Sequence, residues 1–339
     1  MSTATVSYVI NDTRHVSPEK HKQVMDVINK TGYQPNIVAK SLRTKKTNFI
    51  GVLVEDVLSF AAPRIINGIS EYMEKTDYHI LLNDLRMMES LFNQYDQIIR
   101  HKDKIHNAIQ LLVYGTKVDA IIYIGMFDRD ISGILPNIGK PVVIAYSTSK
   151  DACFVTYDNE KIATQLTHHL INAGHRHIAV ISGLAHTPPV LLRLKGIQKA
   201  FDEAGLTLDS KLIYNGDWER DSGYRCMKDL LKHSNPRPTA VFAMNDLMAI
   251  GAIDAILEAG LRVPQDISVV GFDNREVSEV VSPKLTTAEI DLKTIGYTAA
   301  QMVTERLTAA GQYVNQRKII IPSKIVLRET VHLPMRIHC

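Results

Sequence analysis

The sequence predicts an α/β protein of two doubly wound parallel-sheet lobes with a small all-α segment at its N-terminus. From Phe49 onward, short apolar runs alternate with amphipathic stretches, the β-α-β-α signature of parallel sheets covered on both faces. Those runs are too many for one doubly wound unit of ordinary size. Residues 1–48 break the rhythm: their apolar positions repeat at helical spacing, and their charge balance is +5.

In residues 1–32, Ser2 to Asn11 carries Val6, Val9 and Ile10 on one helical face. A second helix begins with Ser17 as N-cap, Pro18 at the first helical position and Glu19 in the first turn. Its apolar face of Val24, Val27 and Ile28 stops at Gly32. Residues 33–48 form a polar, basic connector, in which Asn36 to Leu42 has the length of one or two helical turns and needs a partner to fold. The expected strands then follow: Ile50–Val54, His79–Leu82, Ala120–Ile124, Val142–Ala145, Ile178–Ile181, Leu212–Tyr214, Ala240–Ala243 and Ile267–Val270, all but the last followed by a helical stretch. The polar cluster Ser147-Thr148-Ser149 marks the expected break between lobes.

Composition narrows the function. Of 339 residues, 45% are apolar and 22% charged, as in an ordinary folded protein. No apolar run reaches membrane-spanning length, and Met1 to Thr5 lacks the pattern of a secretory signal. Three distant cysteines, Cys153, Cys226 and Cys339, fit a reducing cytoplasm better than a disulfide framework. The net charge of +3 hides an asymmetry: residues 1–48 hold eight basic and three acidic side chains, the rest 31 basic and 33 acidic. A basic arm on a near-neutral body suits a polyanion, because cationic side chains displace condensed counterions; a lysine-rich solvated surface is the plainer alternative.

In open parallel sheets, ligands gather at the carboxyl ends of the strands. The residues there are Asp56 in the first lobe, and His186-Thr187, Arg193, Trp218, Asn245-Asp246 and Asp273-Asn274 in the second. A guanidinium fork, an aromatic plate, carboxylates and an amide form a polyol-binding set. Singly, each has a duller role: Asp246 as cap of the helix Leu247–Glu258, which suits it better than ligand contact, Trp218 as core, Arg193 in a surface ion pair. Enzyme signatures are missing. No G-x-G-x-x-G follows a strand, Gly133…Gly139-Lys140-Pro141 is no phosphate loop, and there is no G-x-S-x-G elbow. His168-His169 and His175…His177 lack partners at metal-ligand spacing, so neither metal nor cofactor is expected. A sensor fits better than an enzyme.

Ser2-Thr3-Ala4-Thr5-Val6-Ser7-Tyr8-Val9-Ile10-Asn11 resembles the recognition helix of LacI/GalR regulators, S-x-x-T-V-S-x-V-I/L-N. Gly32-Tyr33-Gln34-Pro35-Asn36-Ile37-Val38-Ala39-Lys40-Ser41-Leu42 resembles their hinge motif, and Pro238–Asp246, Ile267–Asp273 and Pro283–Thr287 resemble further signatures in order along the chain. The resemblance implies a periplasmic-binding-protein-like body and a homodimeric regulator, in the repressor mould, on pseudo-palindromic double-stranded operator DNA. It places Thr3, Ala4 and Tyr8 at base edges and Thr5, Ser7 and Asn11 nearer phosphates. It makes Leu42 the minor-groove wedge of a hinge that folds on DNA, aided by Asn36 and Ala39. Its sugar-responsive members suggest a sugar or sugar phosphate held by Arg193, Asn245 and Asp273, with Trp218 stacking and Leu292 as an apolar contact; Asp56 and Thr187 join the expected site from their places past the strand ends.

Two departures stand out. The family's scaffold helix precedes the recognition helix, and this chain begins inside the intervening turn; Met1 occupies a position usually Val, which a GUG start codon would read as Met, so the expected cellular chain is longer. Where the family often has D-x-x-N-P-F-F, this chain has Asp56-Val57-Leu58-Ser59-Phe60-Ala61-Ala62, so the aromatic pair on the first lobe's side of the cleft is expected to be lost. The expected division is a headpiece at 1–32, a hinge and linker at 33–48, a first lobe at 49–147 plus about 291–317, and a second at 148–290 plus about 318–339. Crossings near 147, 290 and 317 would serve as hinges for lobe closure. A sugar-binding protein of the same architecture without DNA function is the alternative, disfavoured by the basic arm.

Overall fold

Two units separate by their internal contacts, residues 1–48 and 49–339. The computed structural model describes residues 2, 5–6, 8–9, 15–32, 46–88, 97–308 and 317–332.

In the first unit, Thr5, Val6, Tyr8 and Val9 are helical. The Ser2 carbonyl accepts from the Thr5 amide at 3.0 Å, and the two hydroxyl oxygens lie 2.9 Å apart. Helix α1 (Pro18–Thr31) starts after Ser17 and stops where Gly32 adopts φ 63, the left-handed turn that glycine makes without steric penalty. Val24 is its buried apolar residue, and Val9 of the preceding helical stretch is buried as well. The expected start and stop of this helix are therefore present, although the Ser17 side chain makes no cap bond; of the expected face Val24, Val27 and Ile28, only Val24 is buried and Val27 is 59% exposed.

The second unit opens with β1 (Phe49–Val54), α2 (Ala62–Met73), β2 (His79–Asp84), α3 (Lys102–Gln110), β3 (Ala120–Ile124), β4 (Val142–Ala145) and β5 (Cys153–Tyr157). It continues with α4 (Asn159–Asn172), β6 (Ile178–Ser182), α5 (Pro188–Glu203), β7 (Ile213–Asn215), α6 (Arg220–His233), β8 (Ala240–Ala243), α7 (Asp246–Glu258), β9 (Ser268–Val270) and α8 (Val277–Val280). The last elements are β10 (Thr287–Glu289), α9 (Leu292–Thr308), β11 (Lys318–Ile321) and β12 (Lys324–Val326). One six-stranded sheet runs β11-β5-β4-β3-β1-β2, and a second of four strands runs β7-β6-β8-β9. Every neighbouring pair in both sheets is parallel, whereas β10 and β12 pair antiparallel. β1, β3, β6 and β8 are almost wholly buried, which is why they read as unbroken apolar runs rather than alternating ones.

The sheets move two of the expected boundaries. Cys153–Tyr157 pairs with β4 on one side and with Lys318–Ile321 on the other, so both strands belong to the first lobe. The crossings fall at 157–159, 289–292 and 321–324 rather than near 147, 290 and 317. The Ser147-Thr148-Ser149 cluster is the turn between β4 and β5, with Ser147 and Ser149 buried; its polarity serves a tight connection. No α-helix separates β3 from β4 or β4 from β5, contrary to the expected alternation. Strands β10, β11 and β12 leave little apolar signal in the sequence because they are three or four residues long, and β11 and β12 each begin with an exposed lysine.

Within the first lobe, α9 returns from the second lobe to pack along α2 and beneath β3, β4 and β5. Glycines set that distance: a methyl on Gly68 would overlap the Lys293 carbonyl, and one on Gly296 the Ile65 carbonyl. Neither backbone can yield without parting the helices. Gly296→Ala is therefore expected to destabilise the protein by about 1–3 kcal/mol, the usual cost of overpacking a tight core. A fall in the urea midpoint at unchanged m-value would register it; an unchanged midpoint would mean that the two helices do not approach so closely.

Candidate functional site

Residues that follow strands of both sheets line one cleft of about 210 Å³. The first lobe contributes Phe60 from the loop after β1, Phe127 after β3 and Tyr146 after β4. The second contributes Trp218 after β7, Asn245 after β8, and Asp273 and Arg275 after β9, with Arg193 reaching in from α5. Many of these residues sit in the left-handed backbone region: Phe127 at φ 61, Tyr146 at φ 60, Trp218 at φ 75 and Asp273 at φ 104. Such conformations cost about 1–3 kcal/mol each and persist where the surrounding fold imposes them, often at ligand sites.

Arg193 is the centre. Only 3% of it is exposed. Its Nε donates to Asn159 Oδ1 at 2.8 Å, one terminal nitrogen to the Tyr157 hydroxyl at 3.1 Å, and the other to the Met244 carbonyl. Asp273 Oδ1 lies 3.6 Å from the guanidinium, which also stacks 3.6 Å from the centre of the Phe272 ring. Asn159 extends the network into the first lobe by donating to Asp128 Oδ2 at 2.8 Å. A guanidinium this deep is tolerated only because bonds and countercharge replace water.

Burial pushes the Asp273 carboxyl up to about 6, against the pull of Arg193, Arg275 and Arg64. Burial, helped by the neighbouring charge of Asp273, pushes Asp246 up to about 7. Asp246 is not the cap of its helix. Asn245 is: its side-chain oxygen accepts from the Met248 amide at 2.8 Å, while its Nδ2 donates to the Trp218 carbonyl at 2.7 Å. Asp246 instead accepts from Thr287 Oγ1 at 2.5 Å and from the Arg275 amide at 2.6 Å, tying the ends of β8, β9 and β10 together.

The structure thus brings Arg193, Trp218, Asn245 and Asp273 to one cleft. Three other expected residues do not line it. Asp56 accepts from the Leu58 and Met88 amides at 2.9 and 2.8 Å and shapes the loop after β1. Thr187 donates to the Leu184 carbonyl at 2.8 Å ahead of α5. Leu292 is core at the start of α9. Of the segment expected to lack the family's aromatic pair, the single ring, Phe60, lines the first lobe's side, and Phe127 and Tyr146 from later loops add two more. Phe127 and Tyr146 stand past the ends of β3 and β4 as Asp56 stands past β1, so the strand-end rule extends to both. Of the expected DNA-contacting residues, Thr5 and Tyr8 lie on the first helical turns; Thr3, Ala4, Ser7, Asn11, Asn36, Ala39 and Leu42 lie outside the described residues.

Of His168, His169, His175 and His177, three have protein partners: His168 meets Glu203 at 2.7 Å, His175 bridges Thr239 and Ser268, and His177 meets the Pro236 carbonyl at 2.8 Å. Among the described residues, no helix is long and apolar enough to cross a membrane.

Comparison with known proteins agrees along the whole chain. Residues 1–36 match the family model of bacterial regulatory proteins of the lacI family, and residues 167–331 that of a periplasmic binding protein-like domain. Catabolite control protein A of Priestia megaterium is 31% identical over 97% of this chain and 96% of its own. The HTH-type transcriptional repressor PurR of Histophilus somni is 33% identical over 98% of this chain and 96% of its own. Among solved structures, the lac repressor dimer bound to operator and the anti-inducer ONPF has a TM-score of 0.79 at 26% identity, over 97% of this chain and 95% of that one. The complex of the transcriptional regulator CelR with cellobiose has a TM-score of 0.67 at 26% identity, over 97% of this chain and 96% of that one. These relatives are regulators rather than enzymes. With its periplasmic-binding-protein-like lobes and basic N-terminal segment, the chain belongs to the lacI family of DNA-binding transcription regulators.

Proposed function

We propose that this regulator is a repressor that binds a pseudo-palindromic operator as a homodimer and is controlled by a small sugar-like effector in the interlobe cleft. The observation that carries the reading is the convergence of Arg193, Asp273, Asn245 and Trp218 with Phe60, Phe127 and Tyr146 from the facing lobe. Carboxylate and guanidinium suit vicinal hydroxyls, and the aromatic faces suit the C–H face of a ring. A ligand touching both lobes favours whichever lobe arrangement fits it, and the three crossings at 157–159, 289–292 and 321–324 are the hinges. Coupling of about 1–3 kcal/mol between effector and operator is typical and reciprocal. CelR was solved with cellobiose, which supports a sugar in a cleft of this architecture.

In the headpiece, Thr3, Ala4 and Tyr8 read bases, Thr5, Ser7 and Asn11 hold phosphates, and Leu42, with Asn36 and Ala39, wedges the minor groove. Selecting binding sites from random double-stranded DNA tests the reading. Recovery of a two-fold symmetric sequence whose affinity shifts when a sugar is added is the expected result. A sugar that binds without any DNA preference would favour a binding protein with no role on DNA. Leu42→Ala should weaken the selected site far more than random DNA in a salt-matched titration; equal loss on both would sink the wedge.

Asp273 adds a pH dependence. An unfolded carboxyl ionises near 3.8, whereas this one ionises near 6. Between those values the folded state holds the extra proton, so its contribution to stability falls as pH rises. A hydroxyl donating to the carboxylate needs the ionised form and runs the other way. Effector affinity, followed through Trp218 fluorescence, is expected to fall as pH drops through about 6, approaching about tenfold per unit. In Asp273→Asn that slope should vanish.

A further inference from the structure

We propose that the effector is an anionic monosaccharide, a single sugar ring bearing a carboxylate or phosphate whose charge is held by Arg275 with help from Arg64. The inference rests on the cleft being the effector site and adds the ligand's charge and size.

The charged side chains of the cleft are committed to very different degrees. Arg193 spends its donors on Asn159, Tyr157 and Met244 and its charge on Asp273. Arg275 is unlike it. Its backbone amide bonds to Asp246, but among the described residues no carboxylate lies within 4 Å of its guanidinium, which lines the cleft and stacks 4.7 Å from the centre of the Phe60 ring. Phe60 belongs to the opposite lobe. The guanidinium of Arg64 stands 5.7 Å from the same ring, and its carboxylate partner, Glu276, is 3.6 Å away and 96% exposed. Two cations thus flank one aromatic ring, and the one ion pair either makes among the described residues is with water-screened Glu276; Asp273 acts on both from beyond 4 Å. Glu219, the remaining acid of the lining, is exposed at the rim.

A stacked guanidinium is held by its face and presents its N–H edge, the geometry that takes a carboxylate or phosphate bidentately. An anion there would neutralise both arginines and, because Arg275 and Arg64 come from different lobes, would bridge the cleft. The volume, about 210 Å³, is below the ~300–1,000 Å³ common for ligand pockets, which selects one ring over a disaccharide. Hydroxyls then face Asp273, and the charged substituent faces Arg275.

Trp218 is the only tryptophan of the chain and lines the cleft, so its fluorescence reports on both charge and ligand. In the free protein, iodide should quench it more effectively than caesium. That preference should be lost in Arg275→Leu, reduced in Arg64→Leu and kept in Arg275→Lys, with circular dichroism checking the fold of each variant. Glucose, glucuronate, glucose 6-phosphate, galactose, galacturonate and galactose 6-phosphate would then be titrated. An acid or phosphate binding at least about tenfold tighter than its neutral parent, the factor expected of a charge-assisted bond, with that advantage gone in Arg275→Leu, supports the inference, and comparing the two kinds of derivative identifies the anion. Caesium quenching as well as iodide, or a neutral parent binding as tightly as its derivatives, overturns it and leaves the cleft as a sugar site. Binding of none of the six, in protein that still selects an operator, overturns the sugar ligand together with it.

Discussion

Arg193 is the constraint on which the arrangement of the lobes depends. A guanidinium buried at a hinge cannot be left half-paired, because an uncompensated buried charge costs about 3–5 kcal/mol. Its partners come from separate elements: Tyr157 ends β5, Asn159 opens α4, Met244 follows β8, and Asp273 follows β9. Through Asn159 the network reaches Asp128, which also accepts from Thr156 of the first sheet. A rotation of one lobe against the other must keep these bonds or exchange them. Hydroxyls of a ligand are among the few groups that could take their place without leaving the charge bare. The same side chain that fixes the resting geometry is thus placed to sense what enters.

Around that hinge, the helices are locked by close contact. Gly68 and Gly296 let α2 and α9 touch backbone to backbone, and Gly223 and Gly251 do the same for α6 and α7. Both pairs lie within single lobes. The contacts between lobes at the cleft mouth are of another kind: an exposed ion pair, Arg64 with Glu276, and a cation over a ring, Arg275 with Phe60. Exposed pairs of this sort are worth up to about 1 kcal/mol, far less than an interdigitated helix pair. Under the proposed mechanism, weaker bonds between lobes than within them let the lobes shift as bodies rather than deform.

Much of this was legible in the sequence because burial leaves a plain mark. Strands covered on both faces, such as Ala120–Ile124 and Ala240–Ala243, contain little but apolar residues, and α1 carries its own start and stop in Pro18 and Gly32. The lobe boundaries were not legible, because membership of a sheet is decided by pairing. Cys153–Tyr157 looks like the start of a new lobe until Lys318–Ile321 returns from more than 160 positions away to pair with it.

The site was half legible for a related reason. Used on the sequence, a rule that looks past strand ends finds Arg193, Trp218, Asn245 and Asp273 but passes over Tyr146, Glu219 and Arg275, and it cannot say whether a carboxylate faces a ligand or a backbone amide. Asp56 and Asp273 both follow strands. The first is consumed by the Leu58 and Met88 amides, while the second is ion-paired, among the described residues, with Arg193 alone, at 3.6 Å, and feels Arg275 and Arg64 from farther off. The cap expected of Asp246 falls to Asn245, which also lines the cleft, because an amide can accept from Met248 and donate to the Trp218 carbonyl at once, whereas an ionised carboxylate can only accept. The cap therefore falls to the residue able to serve both neighbours, and the carboxylate is driven inward, to where Thr287 and the Arg275 amide offer it donors.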